Sequence, residues 1–170
     1  MTLSYSPVLP GEPRSDGLSQ AIATCERVSA AYELYLFGSN VIDSEMTWND
    51  LSPIAREIAT DNGLEAPESD LERLALADVA DQWAREYHAG VDYGARWSMG
   101  CETPTEPDNY EICISGGGPG CFIRGDFGLH GNVDSDSIEV VGVDTKGLHP
   151  VKPWDAYQDA LGWFVQIVAC

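Results

Sequence analysis

Apolar residues recur every three or four positions from Leu18 to about Phe37. Leu18, Ile22, Cys25, Val28, Ala31, Tyr32 and Tyr35 fall near one face, which predicts an amphipathic helix stopped by Gly38-Ser39-Asn40. A second helix is predicted after Ser52, an N-cap residue, with Pro53 at its first position. Its stripe is Ile54, Ala55 and Ile58, and Asn62-Gly63 closes it. A third opens at Ser69, with Glu72 placed to complete a capping box. Leu71, Leu74, Ala75, Val79, Trp83 and Tyr87 are its expected buried side, and Gly90 its expected end.

The period then changes. Strand-like residues run from Val91 to Met99, followed by a loop rich in Pro, Thr and Glu. From Tyr110 to Val143 the chain reads as an antiparallel meander. Ile112 and Ile114 alternate with polar or small neighbours, Phe122 opens a second apolar run, and Ile138 to Val143 forms a third. Gly116-Gly117-Gly118-Pro119-Gly120 marks the reversal between the first two. Pro150, Val151, Lys152 and Pro153 lead into a last helix from Trp154 to about Val168, with Tyr157, Leu161, Phe164 and Val165 on its apolar face. Residues 1–16 are a Pro-rich lead-in, and 17–170 form one domain. The expected class is α+β: N-terminal helices packed on a C-terminal antiparallel sheet of about four strands, with a final helix on the sheet.

Charge changes the picture. The 170-residue chain holds 28 acidic residues against 9 basic ones, a formal net charge of −19, and its only lysines are Lys146 and Lys152. Such a chain repels nucleic acid and anionic lipid and attracts basic surfaces. Direct nucleic-acid binding and membrane association are therefore not expected. No run approaches the roughly 18–20 apolar residues of a membrane span. The N-terminus lacks a basic stretch followed by an apolar one, so no signal peptide is expected. Five cysteines without framework spacing fit reduced thiols in a cytoplasm, with a Cys113–Cys121 bridge as a minor alternative.

The acids are clustered along the chain. Between Asn40 and Gln82 stand Asp43, Glu45, Asp50, Glu57, Asp61, Glu65, Glu68, Asp70, Glu72, Asp78 and Asp81, opposed by Arg56 and Arg73. Between Glu102 and Asp144 stand nine more, Asp134 and Asp136 among them, opposed by Arg124. Carboxylates three or four positions apart on a helix are about 5–6 Å apart at Cβ. DNA carries a charge roughly every 3.4 Å per strand, so Glu68, Glu72, Asp78 and Asp81 would imitate part of a phosphate row at a sparser pitch. Trp48, beside Asn49-Asp50 in a loop, is the aromatic residue best placed as an exposed partner anchor. A salt-adapted surface would also be acid-rich and lysine-poor, but would spread its acids evenly.

Other chemistry is poorly supported. The Gly-rich run precedes a strand, with no lysine nearby, so it does not match a phosphate cradle. Cys101, Cys113 and Cys121 lack the short spacing of a zinc site, and Asp134 and Asp136 lack the ligand spacing of a calcium loop. No metal or other cofactor is expected. A nucleophilic pairing of Cys113 or Cys121 with His130 or His149 has no local support.

The segment from Tyr110 through Ser115-Gly-Gly-Gly-Pro119 to Ile123-Arg124-Gly125-Asp126 resembles a group of uncharacterised proteins carried on plasmids, phages and integrated elements. Those share a similar strand, a Ser/Thr-Gly-Gly-Pro turn and a second strand, and often end in a Pro-Trp stretch and a short aromatic helix, as Pro153-Trp154 to Phe164 does here. The resemblance implies a mobile-element origin. Small acidic proteins of such origin are similar in role to anti-CRISPR and antirestriction proteins that mimic DNA. The leading expectation is a non-enzymatic inhibitor that binds the basic nucleic-acid-binding surface of a protein or ribonucleoprotein defence complex. Its expected contacts are Asp43, Glu45, Trp48, Asp50, Glu68, Asp70, Glu72, Asp78, Asp81, Asp134 and Asp136. The alternatives are an immunity protein against a basic toxin, a small enzyme gathering Asp126, His130 and Cys121 near the Gly-rich hairpin, and a salt-adapted housekeeping protein.

Overall fold

The computed structural model describes residues 16–39, 46–95, 107–116, 119–128, 132–151 and 155–169. Residues 1–15 of the lead-in, Asp43, Glu45, Trp97, Cys101, Gly117, Gly118, His130, Trp154 and Cys170 lie outside the described residues, and Asp16, the last residue of the expected lead-in, already belongs to the first helix.

Helix α1 (Asp16–Gly38) is the spine of the molecule. Its 23 residues span roughly 34 Å at 1.5 Å per residue, enough to serve two cores. Ala21, Cys25 and Val28, in its first half, join Ala160, Leu161, Phe164 and Val165 of α4 (Asp155–Ala169) over the sheet. Ala31, Leu34 and Phe37, in its second half, join Ala55, Ile58 and Ala59 of α2 (Pro53–Asp61) and Leu76 and Ala80 of α3 (Asp70–Glu86). Trp83 and Trp163 pack against both cores. Each fully buried leucine contributes about 1.5–3 kcal/mol, and Leu34, Leu76 and Leu161 are all of that kind.

The helix starts follow local chemistry. Ser52 accepts the Ala55 N–H at 3.2 Å, with Pro53 at N1. Glu33 of α1 accepts the Ser52 N–H at 3.1 Å, which ties α2 to α1. Ser69 accepts the Glu72 N–H at 3.3 Å. The return half of the expected capping box is shifted by one residue: the Glu72 carboxylate takes the N–H of Glu68, at 2.6 Å.

The sheet is a five-stranded antiparallel meander in the order β1 (Gly90–Ala95), β2 (Pro107–Ser115), β3 (Gly120–Asp126), β4 (Glu139–Asp144) and β5 (Gly147–Val151). The register aligns Val91, Ile112, Ile123, Val140 and Val151 in one row across all five strands. These residues belong to the core beneath α1 and α4. The α+β architecture with a C-terminal helix is as the sequence predicts. The fifth strand is not in that expectation. Its Pro150 is tolerated because β5 lies at the edge of the sheet, where one side of the backbone has no ladder to complete.

Helix α3 buries only part of the side the apolar spacing predicts: Val79, Trp83 and Tyr87 pack against the cores, partly buried, but the two leucines do not. Leu71 is 79% and Leu74 53% exposed, while Leu76, Ala77, Ala80 and Ala84 are buried. The cause is close backbone approach. A Cβ on Gly38 would collide with the backbone nitrogen of Ala77, so α1 and α3 touch through small residues. Helix faces built from alanine and glycine lie nearer to each other than a leucine stripe allows, and the leucines turn outward. The helix also ends earlier than expected: Tyr87 is its C-cap, and Gly90 already belongs to β1.

Candidate acidic interaction surfaces

The first surface forms where the start of α3 meets the end of α1 and the 3-10 turn Trp48–Asp50. A cavity of about 310 Å³ is lined by Phe37, Met46, Thr47, Trp48, Pro67, Glu68, Ser69, Asp70 and Arg73. Phe37, Met46, Trp48 and Pro67 are its apolar and aromatic lining, Arg73 its cation, and Glu68 and Asp70 its acids. The Arg73 Nε donates to the Phe37 carbonyl at 2.8 Å, and the guanidinium lies 4.4 Å from the Phe37 ring centroid. The Arg73 cation is thus held against α1 by a ring and a carbonyl. Trp48 is half-buried, 6.5 Å from Phe37 between ring centroids, so it is both wall and packing residue.

The expected contact residues of this region have distinct duties. Glu68, Asp70, Glu72 and Asp78 are exposed. Glu72 closes the helix start through the Glu68 N–H. Asp81 is partly buried; burial raises its carboxyl above the ordinary range, Asp78 raises it further, and Arg85 opposes both. Asp50 accepts the Thr47 hydroxyl at 2.7 Å and the Thr47 N–H at 2.8 Å, which holds its carboxyl below the ordinary range. Asp50 therefore braces its own turn.

The second surface is on the other side of the sheet. Side chains alternate across a strand, so the residues between the core positions face away from the helices. The register places Asp92, Glu111, Arg124 and Glu139 in one such row over four strands. Arg124 Nη2 lies 2.9 Å from Glu139 Oε2, with both side chains about two-fifths exposed (43% and 38%). A pair so exposed is worth about 0–1 kcal/mol. A cavity of about 510 Å³ runs along this row, lined by Glu111, Asp126, Asp136 and Glu139 against the single cation Arg124, with Asn109, Tyr110, Gly125 and Ser137 completing it. Asp134 faces its own 3-10 turn, where its carboxylate accepts the Asp136 N–H at 3.2 Å. Gln158 of α4 donates to Asp136 Oδ1 at 3.2 Å, so the turn is anchored to the last helix.

The structure thus brings Trp48, Glu68 and Asp70 together, puts Asp136 in a separate cavity, and uses Asp50 and Asp134 as local braces. The two cavities share no lining residue. Glu111, Asp126 and Glu139 are not among the expected contacts. Their alternation in strands is visible in the sequence, but the pairing that aligns them is not.

Of the residues of the enzyme alternative, His130 lies outside the described residues, and Cys121 and Asp126 stand apart. Cys121 is fully buried, with its Sγ 3.3 Å from Thr24 Oγ1. Asp126 is exposed at the other end of β3, five residues and about 17 Å along the strand. His149 is in register with Gly142, which is in register with Cys121, so two strand spacings of roughly 4.8 Å separate the thiol strand from the imidazole strand. Burial pushes the Cys25 thiol up to about 12 and raises that of Cys121, which keeps both protonated near neutral pH. Cys113 pairs in register with Phe122 and so faces away from Cys121; both are free thiols. Among the described residues, no three His, Cys, Asp or Glu side chains gather as a metal site, and no helix is long and apolar enough to cross a membrane. Comparison with protein-family models, curated proteins and solved structures gives no match for this chain.

Proposed function

We propose that this protein is a non-enzymatic acidic inhibitor that occupies the cationic nucleic-acid-binding surface of a host defence complex, of the anti-CRISPR or antirestriction kind. The carrying observation is the start of α3. There Glu68, Asp70, Glu72 and Asp78 are exposed, while the nearest helix cation, Arg73, is turned in against Phe37. A surface of that sign is drawn to lysine and arginine grooves at rates that fall as salt rises. Exposed charges are screened within about 8 Å at physiological ionic strength.

The test is capture on immobilised protein from cells that carry CRISPR and restriction systems, with elution in a salt gradient. Asp70→Lys with Asp78→Lys is the matched variant, because neither carboxylate braces the fold as that of Glu72 does. The expected result is a nucleic-acid-binding complex retained at low salt by the wild type and lost from the variant. Retention unaffected by the substitutions removes α3 from the interface. A basic toxin as the captured partner replaces this reading with the immunity-protein alternative.

A further inference from the structure

Leu71 and Leu74 are the residues of α3 that the acidic reading does not absorb. They stand one turn apart on the outward face, 79% and 53% exposed, opposite the alanines that pack on α1. Single exposed apolar residues are ordinary. These two are neighbours on a helix, enclosed by Asp70, Glu72 and Asp78. Asp70 lies one turn before Leu74 and also lines the 310 Å³ cavity, whose mixed lining includes Phe37 and Trp48.

We infer that the outward face of α3 docks a cationic amphipathic protein segment, whose apolar side covers Leu71 and Leu74 and whose lysines or arginines meet Asp70, Glu72 and Asp78. This rests on the acidic-face reading of α3 and adds the kind of partner. Charge complementarity selects the occupant. A polynucleotide and an anionic lipid surface are repelled, and a second copy would bring two chains of net charge −19 together. Carboxylates alone would serve a contact with cations only; the leucines call for an apolar strip beside those cations on the same protein surface, the arrangement of an interface with an apolar centre inside a charged rim. The carboxylates then govern the rate of encounter, and the leucines the lifetime of the complex.

The experiment uses two fluorescein-labelled peptides of equal length and charge, one a lysine–leucine amphipathic helix and the other with serine in place of each leucine. Affinities are read by anisotropy against the full chain, with far-UV circular dichroism confirming the fold of each variant. The expected result is that the wild type prefers the leucine peptide by about tenfold or more, a gap that two partly covered leucines supply. Leu71→Asn with Leu74→Asn should erase the preference and leave serine-peptide binding unchanged. A preference that survives this double variant overturns the inference. So does equal binding of both peptides that weakens in Asp70→Asn with Asp78→Asn, in which case the acidic face alone stands. Binding indifferent to those carboxylates overturns the acidic reading itself.

Discussion

Gly17, in the first turn of α1, and Gly142, in the middle of β4, meet backbone to backbone. A Cβ on Gly142 would fall on the Gly17 carbonyl, and one on Gly17 would lie 2.9 Å from the His149 ring. The contact lets the helix start rest directly on the sheet. The Gly17 N–H then donates to Asp144 Oδ2 at 3.1 Å, and His149 Nε2 donates to Asp144 Oδ1 at 2.9 Å.

Gly142→Ala should therefore cost about 3 kcal/mol, the upper end of what overpacking a core does. Urea denaturation of the purified variant measures it. A loss under about 0.5 kcal/mol, as for a surface change, would mean that α1 does not lie on β4 at this point.

The same clasp predicts a pH dependence. The hydrogen bond from His149 holds the Asp144 carboxyl well below its ordinary range, helped by the N–H groups of Gly17 and Lys146 and opposed by burial. A carboxylate depressed in the fold stabilises it above the unfolded pKa of about 4 and loses that contribution as pH falls toward the folded value. Wild type should exceed Asp144→Asn in stability at pH 7, and the difference should shrink at pH 3. Comparing the pair at each pH cancels the change in overall repulsion that comes with protonating the other acids. A difference equal at both pH values would show that Asp144 is not linked in this way.

Cys25 and Cys121 should resist iodoacetamide in the native protein and react once urea unfolds it. With the Cys25 thiol near 12, only about one molecule in ten thousand carries its thiolate at pH 8. Peptide mass spectrometry after timed alkylation reads both sites. Native labelling of Cys121 as fast as a free thiol would return it to consideration as a nucleophile.

Ser52-Pro53 and Ser69 place the starts of α2 and α3 because capping is a contest among neighbouring backbone groups. The meander is legible for a similar reason: the alternation around Ile112 and the Gly-rich reversal are properties of adjacent residues. The buried face of α3 is not local. Leu71 and Leu74 continue the apolar stripe of Val79, Trp83 and Tyr87, which do pack on the cores, yet Gly38 admits the alanines beside them and both leucines stay outside. The edge strand β5 carries Pro150 and little alternation, and it is a strand because β4 pairs with it.

The sequence alone determined the class of fold, the helix starts and the sign of the surface, since all three depend on composition or on residues within a few positions of one another. Tertiary structure decided where the carboxylates stand. Strand pairing aligned Glu111 and Glu139 beside Arg124, and the close approach of α1 to α3 put two leucines among the acids. Both results depend on contacts between distant parts of the chain, which spacing along the chain does not encode.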